Sequence, residues 1–339
     1  MDATNEPDET KLLEIAVPLL LVEFILDSMG NAIALCIFCF QMKPSKPSIV
    51  YLFNLNLADF LLMCCLPFRL AYYVNKKNWI FGDGACCVLL FMVSLNQAGS
   101  IAFLMLVATD RYFIVVHPHH KLNSISQRYA VMGVSFTWAV MIGMTSYLLF
   151  ESHVFEQKNL TSCESFNLYN PSNVGATWHD VLFVVEFLAP LCVILYCTCS
   201  IISRLQHKKS EIRRKFIKAK HVVTAVAIVF LLSFLPSNIG RIVVLMMQSK
   251  KTETSKEYWA AVEGFYVTLC LTYVNSMLDP IVYYFSSSKF KNILHRRHSN
   301  KLEMKNSQNS WGISTTNSKQ LTQGKTSEVG QRLNIIQYG

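Results

Sequence analysis

The residues with obvious chemical potential are a few ionisable side chains in or beside long apolar runs. Asp110 and Arg111 follow an apolar run that extends from Val88 to Ala108. A run of that length is typical of a helix that spans a membrane. Ionisable residues are costly there and mark function by default. The alternative is an interfacial ion pair that only anchors the end of the helix, and the spacing leaves both interpretations open.

Two arginines have the right chemistry to bind an anion. Arg69 lies ten residues after Asp59, about 15 Å along a helix axis, and Arg241 follows Pro236. A guanidinium holds a carboxylate through two parallel hydrogen bonds. The alternative is that each side chain extends to the phosphate groups of the lipid.

Other polar residues fall at depths where polar groups need one another or water. They are Asn31, Asp59, Ser100, Asn275 and Asp279. If these side chains face inward together, they form at least a structural hydrogen-bond network.

Two other functional classes are disfavoured. A membrane-embedded hydrolase needs a nucleophile and a histidine at a common depth. Most histidines instead fall in or beside basic segments, without such a partner: His117, His119, His120, His207, His221, His295 and His298. A transporter is disfavoured because the apolar blocks show no internal repeat. We therefore expect a protein that is not an enzyme.

The elements that must position these residues are long apolar blocks. The 339 residues are 52% hydrophobic and 16% charged, which favours one polytopic membrane protein over two soluble domains. Each block can cross a hydrocarbon core of about 30 Å at about 1.5 Å per residue. The seven blocks cover approximately 12–40, 49–74, 82–121, 130–150, 181–202, 222–247 and 258–285.

The basic residues predict the orientation of these blocks. Lys and Arg cluster between alternate blocks, above all in 204–220, as they do in cytoplasmic loops. The N-terminus is then extracellular and the C-terminus cytoplasmic, and the net charge of +9 does not imply nucleic acid. Asn159 becomes an outward-facing glycosylation acceptor. Cys86 or Cys87 could form a disulfide with Cys163 on the oxidising side.

The termini differ in composition from the blocks. We expect an extracellular N-terminal tail over 1–11, a helix bundle over 12–298 and a disordered cytoplasmic tail over 299–339. Residues 288–298 place Phe290, Ile293 and Leu294 at helical spacing among basic residues. That pattern predicts a short amphipathic eighth helix on the inner membrane surface, with a solvated basic stretch as the alternative.

An ordered set of motifs in these blocks resembles the rhodopsin-like G-protein-coupled receptors. The motifs are Gly30-Asn31, Asn54 to Asp59, Cys86, Asp110-Arg111-Tyr112, Trp138, Pro190, Phe230 to Pro236 and Asp279 to Tyr283. The resemblance implies an all-α membrane protein, a seven-transmembrane helix bundle. Two positions depart from the usual pattern: Phe234 stands where the family usually has Trp, and Asp279 where it usually has Asn.

Within that family the chain most resembles the hydroxycarboxylic-acid receptors, with the oxoeicosanoid receptors next. The resemblance is carried by residues 50–55, 58–68, 111–113, 117–120, 162–166, 178–179 and 272–280. It implies a plasma-membrane receptor that senses a small carboxylate and lowers cyclic AMP through an inhibitory G protein. The alternative is a receptor for an oxygenated fatty acid or another larger ligand, and a membrane transporter is a remote one.

The resemblance also implies a ligand site. Its residues are Arg69, Gln97, Ser165, Phe166, Arg241, Thr268 and Tyr273. Gln97 stands where the relatives have a carboxylate-anchoring Arg. A glutamine donates a hydrogen bond but carries no charge, so a carboxylate would lose about 1–3 kcal/mol of binding.

The remaining implications concern signalling. The implied switch residues are Asp110, Arg111, Tyr112, Phe234, Pro236, Asp279, Pro280 and Tyr283. Proline removes a backbone hydrogen bond, so Pro236 provides a hinge. No cofactor is implied except an allosteric sodium ion at Asp59, with Asn31, Ser100, Asn275 and Asp279 around it. The implied partners are a heterotrimeric G protein, a small acidic ligand, arrestin, receptor kinases and membrane lipid, but no nucleic acid.

Overall fold

A computed structural model describes residues 9–42, 46–124, 126–157, 160–166, 174–205, 210–249 and 255–296. Asn159, the tail predicted over 299–339 and the first eight residues of the predicted N-terminal tail lie outside these ranges. Their proposed roles stay predictions.

The described chain is mostly helical. Its helices are α1 (Glu9–Gln41), α2 (Pro47–Val74), α3 (Asp83–Val116), α4 (Gln127–Thr145), α5 (Val174–Leu205), α6 (Ser210–Ser249), α7 (Lys256–Cys270) and α8 (Val274–Ser286). A further helix, α9, covers 288–296, where the sequence predicts the short eighth helix. Short 3₁₀ helices cover Lys121–Ser124 and Ser146–Leu149. Seven segments are long and apolar enough to cross a membrane, which confirms the predicted bundle.

Two helices extend beyond their apolar blocks. α6 begins at Ser210, although its block begins near residue 222, and α5 begins at Val174 rather than near 181. In the extension of α6, Phe216 and Ala219 are buried at helical spacing. Most of the other residues in that extension are Lys, Arg or Glu, which are good helix formers. Hydropathy therefore locates the membrane core but underestimates helix length.

The seventh span is two helices rather than one. Between α7 and α8 the amides of Leu271, Thr272 and Tyr273 donate to carbonyls three residues earlier, at 3.1 Å each. Bonds of this type belong to a tight 3₁₀ turn, which interrupts the α-helix. Tyr273 thus lies at the junction of the two halves.

α3 lies at the centre of the bundle, where it packs against α2, α4, α5 and α6. Gly99 permits the close approach of α2, because a Cβ at that position would lie 3.2 Å from the Cβ of Ala58. Gly240 does the same between α6 and α7, where a Cβ would meet the Cα of Phe265 at 3.2 Å. These contacts bring the polar residues of neighbouring helices together.

A β-hairpin covers one end of the bundle, which we call the hairpin end. Strands β1 (Val154–Gln157) and β2 (Leu160–Cys163) are antiparallel, with Val154 opposite Cys163. The amide of Trp79 donates to the carbonyl of Thr161 at 2.6 Å, which attaches the hairpin to the loop between α2 and α3. A disulfide joins Cys163 to Cys86, with their Cα atoms 5.8 Å apart. The predicted disulfide is confirmed.

Candidate functional site

The hairpin end contains a cleft that several predicted ligand residues line together. It measures about 370 Å³ including its open mouth and is bordered by α2, α3, α5, the α7–α8 junction and the segment after β2. Predicted residues in its wall are Arg69, Gln97, Ser165, Phe166 and Tyr273. We call it the Arg69 cleft.

Arg69 is the cation of this cleft, and its side chain is weakly held. Its exposed fraction is 3%. Nε donates to the hydroxyl of Tyr273 and Nη1 to the carbonyl of Cys163, both at 3.4 Å, which is longer than a strong hydrogen bond. Within the described residues, no carboxylate lies within 4 Å of its guanidinium. A buried cation without an anion is unfavourable, so this position favours an anionic ligand.

Two further basic residues at the hairpin end, Lys77 and His153, do not supply a second cation to the Arg69 cleft. Glu164 accepts a hydrogen bond from Tyr72 at 2.8 Å, and Lys77 lies 3.8 Å from the same carboxylate oxygen. Burial lowers the pKa of His153, so its imidazole carries no charge at neutral pH. Among the described residues that line this cleft, Arg69 is the cation available to a ligand.

Arg241 is already paired inside the protein. Its Nε and Nη2 lie 2.7 Å and 2.6 Å from the same oxygen of Asp180 on α5. Its guanidinium also stacks at 4.7 Å from the ring of Phe166. Thr268 donates to the carbonyl of Phe265 in its own helix at 2.8 Å. Neither Arg241 nor Thr268 borders the Arg69 cleft, so the ligand role of these two residues stays a prediction.

Asp180 was not among the residues singled out from the sequence. It follows the Trp178-His179 pair at the start of an apolar block. Its position at the edge of a spanning segment could have marked it, because a carboxylate there needs a cation or a hydrogen-bond donor as partner.

Gln97 lies where the Arg69 cleft meets a second cleft. The second cleft measures about 310 Å³ including its mouth, and Ser94, Gln97 and Phe183 border both. Its other wall residues are Thr145, Tyr147, Leu182 and Glu186. We call it the Glu186 cleft. Gln97 thus borders a cleft that contains Arg69 on one side and a cleft that contains Glu186 on the other.

Four residues of the predicted polar cluster, Asn31, Asp59, Asn275 and Asp279, belong to one set of buried hydrogen bonds in the middle of the bundle. Asn31 donates to the carbonyl of Ser276 at 3.0 Å, and Tyr283 donates to Asp59 at 2.8 Å. Asn275 donates to Asp279 at 3.2 Å, and the carboxyls of Asp279 and Asp59 are in contact. These bonds connect α1, α2 and α8.

This cluster has oxygen atoms suited to a cation. Asp59 Oδ1, Ser100 Oγ, Asn275 Oδ1 and Asp279 Oδ1 are buried and have no hydrogen-bond partner in the described chain. Two ionised carboxylates in contact repel each other, and a cation bound between them offsets that repulsion. Hard cations take oxygen ligands, so these residues fit a sodium ion.

Two acidic residues of α1 extend the cluster beyond the residues assigned from the sequence. Asp27 accepts a hydrogen bond from Asn31 at 2.6 Å. Glu23, one helical turn earlier, has an exposed fraction of 1%, and neither of its oxygens finds a hydrogen-bond partner among the described residues. The spacing of Glu23, Asp27 and Asn31 predicts that all three face the same way, because residues four apart lie on one face of a helix.

The opposite end of the bundle holds the predicted switch. Arg111 Nη2 lies 3.6 Å from Asp110 Oδ2 and donates to the hydroxyl of Ser286 at 3.1 Å. Asp110 also accepts a hydrogen bond from Ser48 at 2.7 Å. The hydroxyl of Tyr112 lies 3.3 Å from that of Tyr196 on α5. α3 is thus tied to α2, α5 and α8 at this end.

The predicted hinge lies in α6, between the two ends. Phe234 is buried, and its ring lies 5.2 Å from that of Phe230. Its carbonyl accepts hydrogen bonds from Ser237 Oγ at 3.0 Å and from Asn238 Nδ2 at 2.9 Å. Pro236 lies inside the helix and cannot donate to the preceding turn. The hinge thus lacks one backbone hydrogen bond, and side chains of the next turn bond to the backbone beside it.

Comparison with known proteins agrees with this arrangement. The family model described as "7 transmembrane receptor (rhodopsin family)" matches residues 30–283. Human hydroxycarboxylic acid receptor 1 is 48% identical over 82% of this chain and 78% of the relative. Human hydroxycarboxylic acid receptor 2 is 42% identical over 83% of this chain and 77% of the relative. Human oxoeicosanoid receptor 1 is 34% identical over 80% of this chain and 69% of the relative.

These relatives are receptors, not enzymes, as expected from the sequence. The chain is a multi-pass membrane protein, and proteins of this family act on heterotrimeric G proteins. It belongs to the rhodopsin family of seven-transmembrane receptors, as a G-protein-coupled receptor of the hydroxycarboxylic acid receptor type.

Proposed function

We propose that this receptor lies in the plasma membrane, binds a small carboxylate at Arg69 and lowers cyclic AMP through an inhibitory G protein. The observation that carries the proposal is a buried guanidinium that borders a cleft and lacks a carboxylate partner in the described chain. The names of the relatives, which are receptors for hydroxycarboxylic acids, support the same ligand class. Ser165, Phe166, Gln97 and Tyr273 complete the wall.

A larger oxygenated fatty acid is the second candidate, since one relative is an oxoeicosanoid receptor. The two clefts measure about 370 Å³ and 310 Å³ with their mouths included, which favours the smaller ligand. We further propose that phosphorylation of the C-terminal tail by receptor kinases recruits arrestin.

The experiment measures cyclic AMP in forskolin-stimulated cells that express the full chain and receive short carboxylates or oxygenated fatty acids. We expect a short carboxylate to suppress cyclic AMP, and pertussis toxin to abolish that suppression. Arg69→Gln should raise the effective concentration on the order of 10- to 100-fold, because a charge-assisted hydrogen bond is lost.

The matched control is Lys256→Gln, which removes an exposed cation at the hairpin end outside both clefts. It should leave the dose response unchanged. An Arg69→Gln response equal to that of the unmodified receptor, at equal surface abundance, would exclude Arg69 as the anchor. Responses confined to oxygenated fatty acids would favour the second candidate.

We also propose that the polar cluster binds sodium, with the carboxylates of Asp59 and Asp279 and the oxygens of Ser100 and Asn275 as ligands. The support is the set of unpartnered buried oxygens. Replacing sodium by equimolar N-methylglucamine should lower the thermal unfolding temperature of the purified receptor by a few degrees, since binding to the folded state stabilises it. Asp59→Asn should remove this difference, and a sodium effect that persists in Asp59→Asn would contradict the assignment.

A further inference from the structure

The Glu186 cleft has no role in a receptor for a simple carboxylate. Glu186 is half-buried on α5 and shares its cleft with Ser94, Gln97, Thr145 and Tyr147. Among the described residues, no basic side chain borders this cleft, and no Lys, Arg or His lies within 4 Å of Glu186. A carboxylate in such a place favours a cation or a strong hydrogen-bond donor.

Two pairs of opposite charges are already formed near the clefts. Arg241 is bound to Asp180, and Glu164 lies beside Lys77. Among the described residues that line the two clefts, Arg69 is the one positive side chain and Glu186 the one negative side chain, and Gln97 borders both clefts. A ligand with a single negative charge would satisfy Arg69 and would leave Glu186 without a counter-charge.

We infer that the ligand is an amino carboxylate whose carboxylate binds Arg69 and whose ammonium group binds Glu186. This inference rests on the proposed anchoring of a carboxylate at Arg69. A zwitterion matches the one positive and the one negative side chain among the described residues of these adjacent clefts, so each gains a counter-charge. The amide of Gln97 both donates and accepts hydrogen bonds, so it serves either end of such a ligand.

Gln97 is required by the same reasoning. An arginine at this position would place a cation in the wall of the cleft that contains Glu186. That cation would neutralise Glu186 and repel an ammonium group. The neutral amide therefore keeps the acidic cleft available, and residue 97 sets the choice between amino and hydroxy acids.

The test compares ligands that differ only by an amine in place of a hydroxyl. The pairs are 2-aminopropanoate and 2-hydroxypropanoate, 3-aminopropanoate and 3-hydroxypropanoate, and 4-aminobutanoate and 4-hydroxybutanoate. Each compound is titrated into the purified full-length receptor, and the rise in thermal unfolding temperature reports binding. Each compound is also added to cells that express the receptor, and cyclic AMP is measured. In at least one pair, the amino acid should bind about tenfold more tightly, since its bond to Glu186 is charge-assisted.

Glu186→Gln keeps the shape of the side chain and should abolish this preference by weakening only the amino member. Gln97→Arg should reverse the preference towards the hydroxy member. The matched control is Glu263→Gln, which removes a half-buried carboxylate of α7 outside both clefts and should leave the ratio unchanged.

Equal affinity within every pair, or a preference that survives Glu186→Gln, would overturn the inference. If the hydroxy acids bind as tightly as the amino acids and still suppress cyclic AMP, the inference fails while the proposed function stands. If the amino acids bind preferentially but cyclic AMP does not fall, the coupling to an inhibitory G protein fails while the inference stands. Binding of neither class would overturn both.

Discussion

Arg241 lies on α6 with its guanidinium between Asp180 of α5 and the rings of Phe166 and Phe265. Both short contacts go to one carboxylate oxygen of Asp180. The pair is largely buried, so the removal of one partner leaves an uncompensated charge. This geometry supports a role of Arg241 in holding α5 against α6.

We therefore predict that Arg241→Ala lowers the free energy of unfolding by about 3 kcal/mol. The double variant Arg241→Ala/Asp180→Ala should recover most of that loss, because the removal of both charges leaves no unpaired group. Thermal unfolding of the purified receptor measures both effects. A double variant that is no more stable than Arg241→Ala would show that the pair is not the cause.

This pair also shows what residue patterns cannot reveal. Asp180 and Arg241 lie 61 positions apart on different helices, so no spacing rule connects them. Arg69 differs, because its distance along one helix from Asp59 predicts its depth. Its lack of a carboxylate partner depends on the folded positions of Glu164 and Lys77, which the sequence does not specify.

α8 is the element that connects the ligand cleft to the switch. It begins one residue after Tyr273, whose hydroxyl accepts a hydrogen bond from Arg69. It carries Asn275, Asp279 and Tyr283 along its length, and it ends at Ser286, which accepts a hydrogen bond from Arg111. A carboxylate that draws Arg69 away from Tyr273 would thus act on the same helix that holds Arg111.

We predict that Ser286→Ala raises basal G-protein activation. The loss of this hydrogen bond should shift the ratio of active to resting receptor about fivefold, equivalent to about 1 kcal/mol. The measurement is nucleotide exchange on the G protein by unliganded receptor in membranes. Ser286→Thr retains the hydroxyl and should restore the resting level, and equal basal activity of all three receptors would argue against this contact.

The sequence predicts the position of each membrane-spanning helix, but not where a helix is interrupted or extended. A long apolar block must form a helix in lipid, since every backbone polar group needs a partner there. The break at 271–273 and the extension of α6 depend on hydrogen bonds and packing that composition does not reveal. The choice of Cys86 rather than Cys87 depends on the position of the hairpin, because adjacent residues of a helix point in different directions.

The surface of the whole molecule is as apolar as expected for a membrane protein. Large apolar side chains are exposed along the helices, among them Phe136, Tyr196 and Leu232, with exposed fractions of 72%, 61% and 59%. Such a surface is compatible with lipid and not with water. The basic clusters then decide which end of the bundle faces the cytoplasm.

We predict that the hairpin end is extracellular. An epitope tag at the N-terminus should be accessible to antibody on intact cells, and a tag at the C-terminus should be accessible only after permeabilisation. Asn159→Gln should lower the apparent mass of the protein to that of the glycosidase-treated receptor. The opposite accessibility of the two tags would reverse the orientation.

The acidic residues in the middle of the bundle have an electrical consequence. Asp27, Asp59 and Asp279 are all fully buried there. Moving one elementary charge through a membrane potential of 100 mV is worth about 2.3 kcal/mol. The sodium ion proposed at Asp59 would cross part of that potential to reach its site, so its occupancy would change when the cell depolarises. Ligand binding that is coupled to this ion would then depend on the membrane voltage.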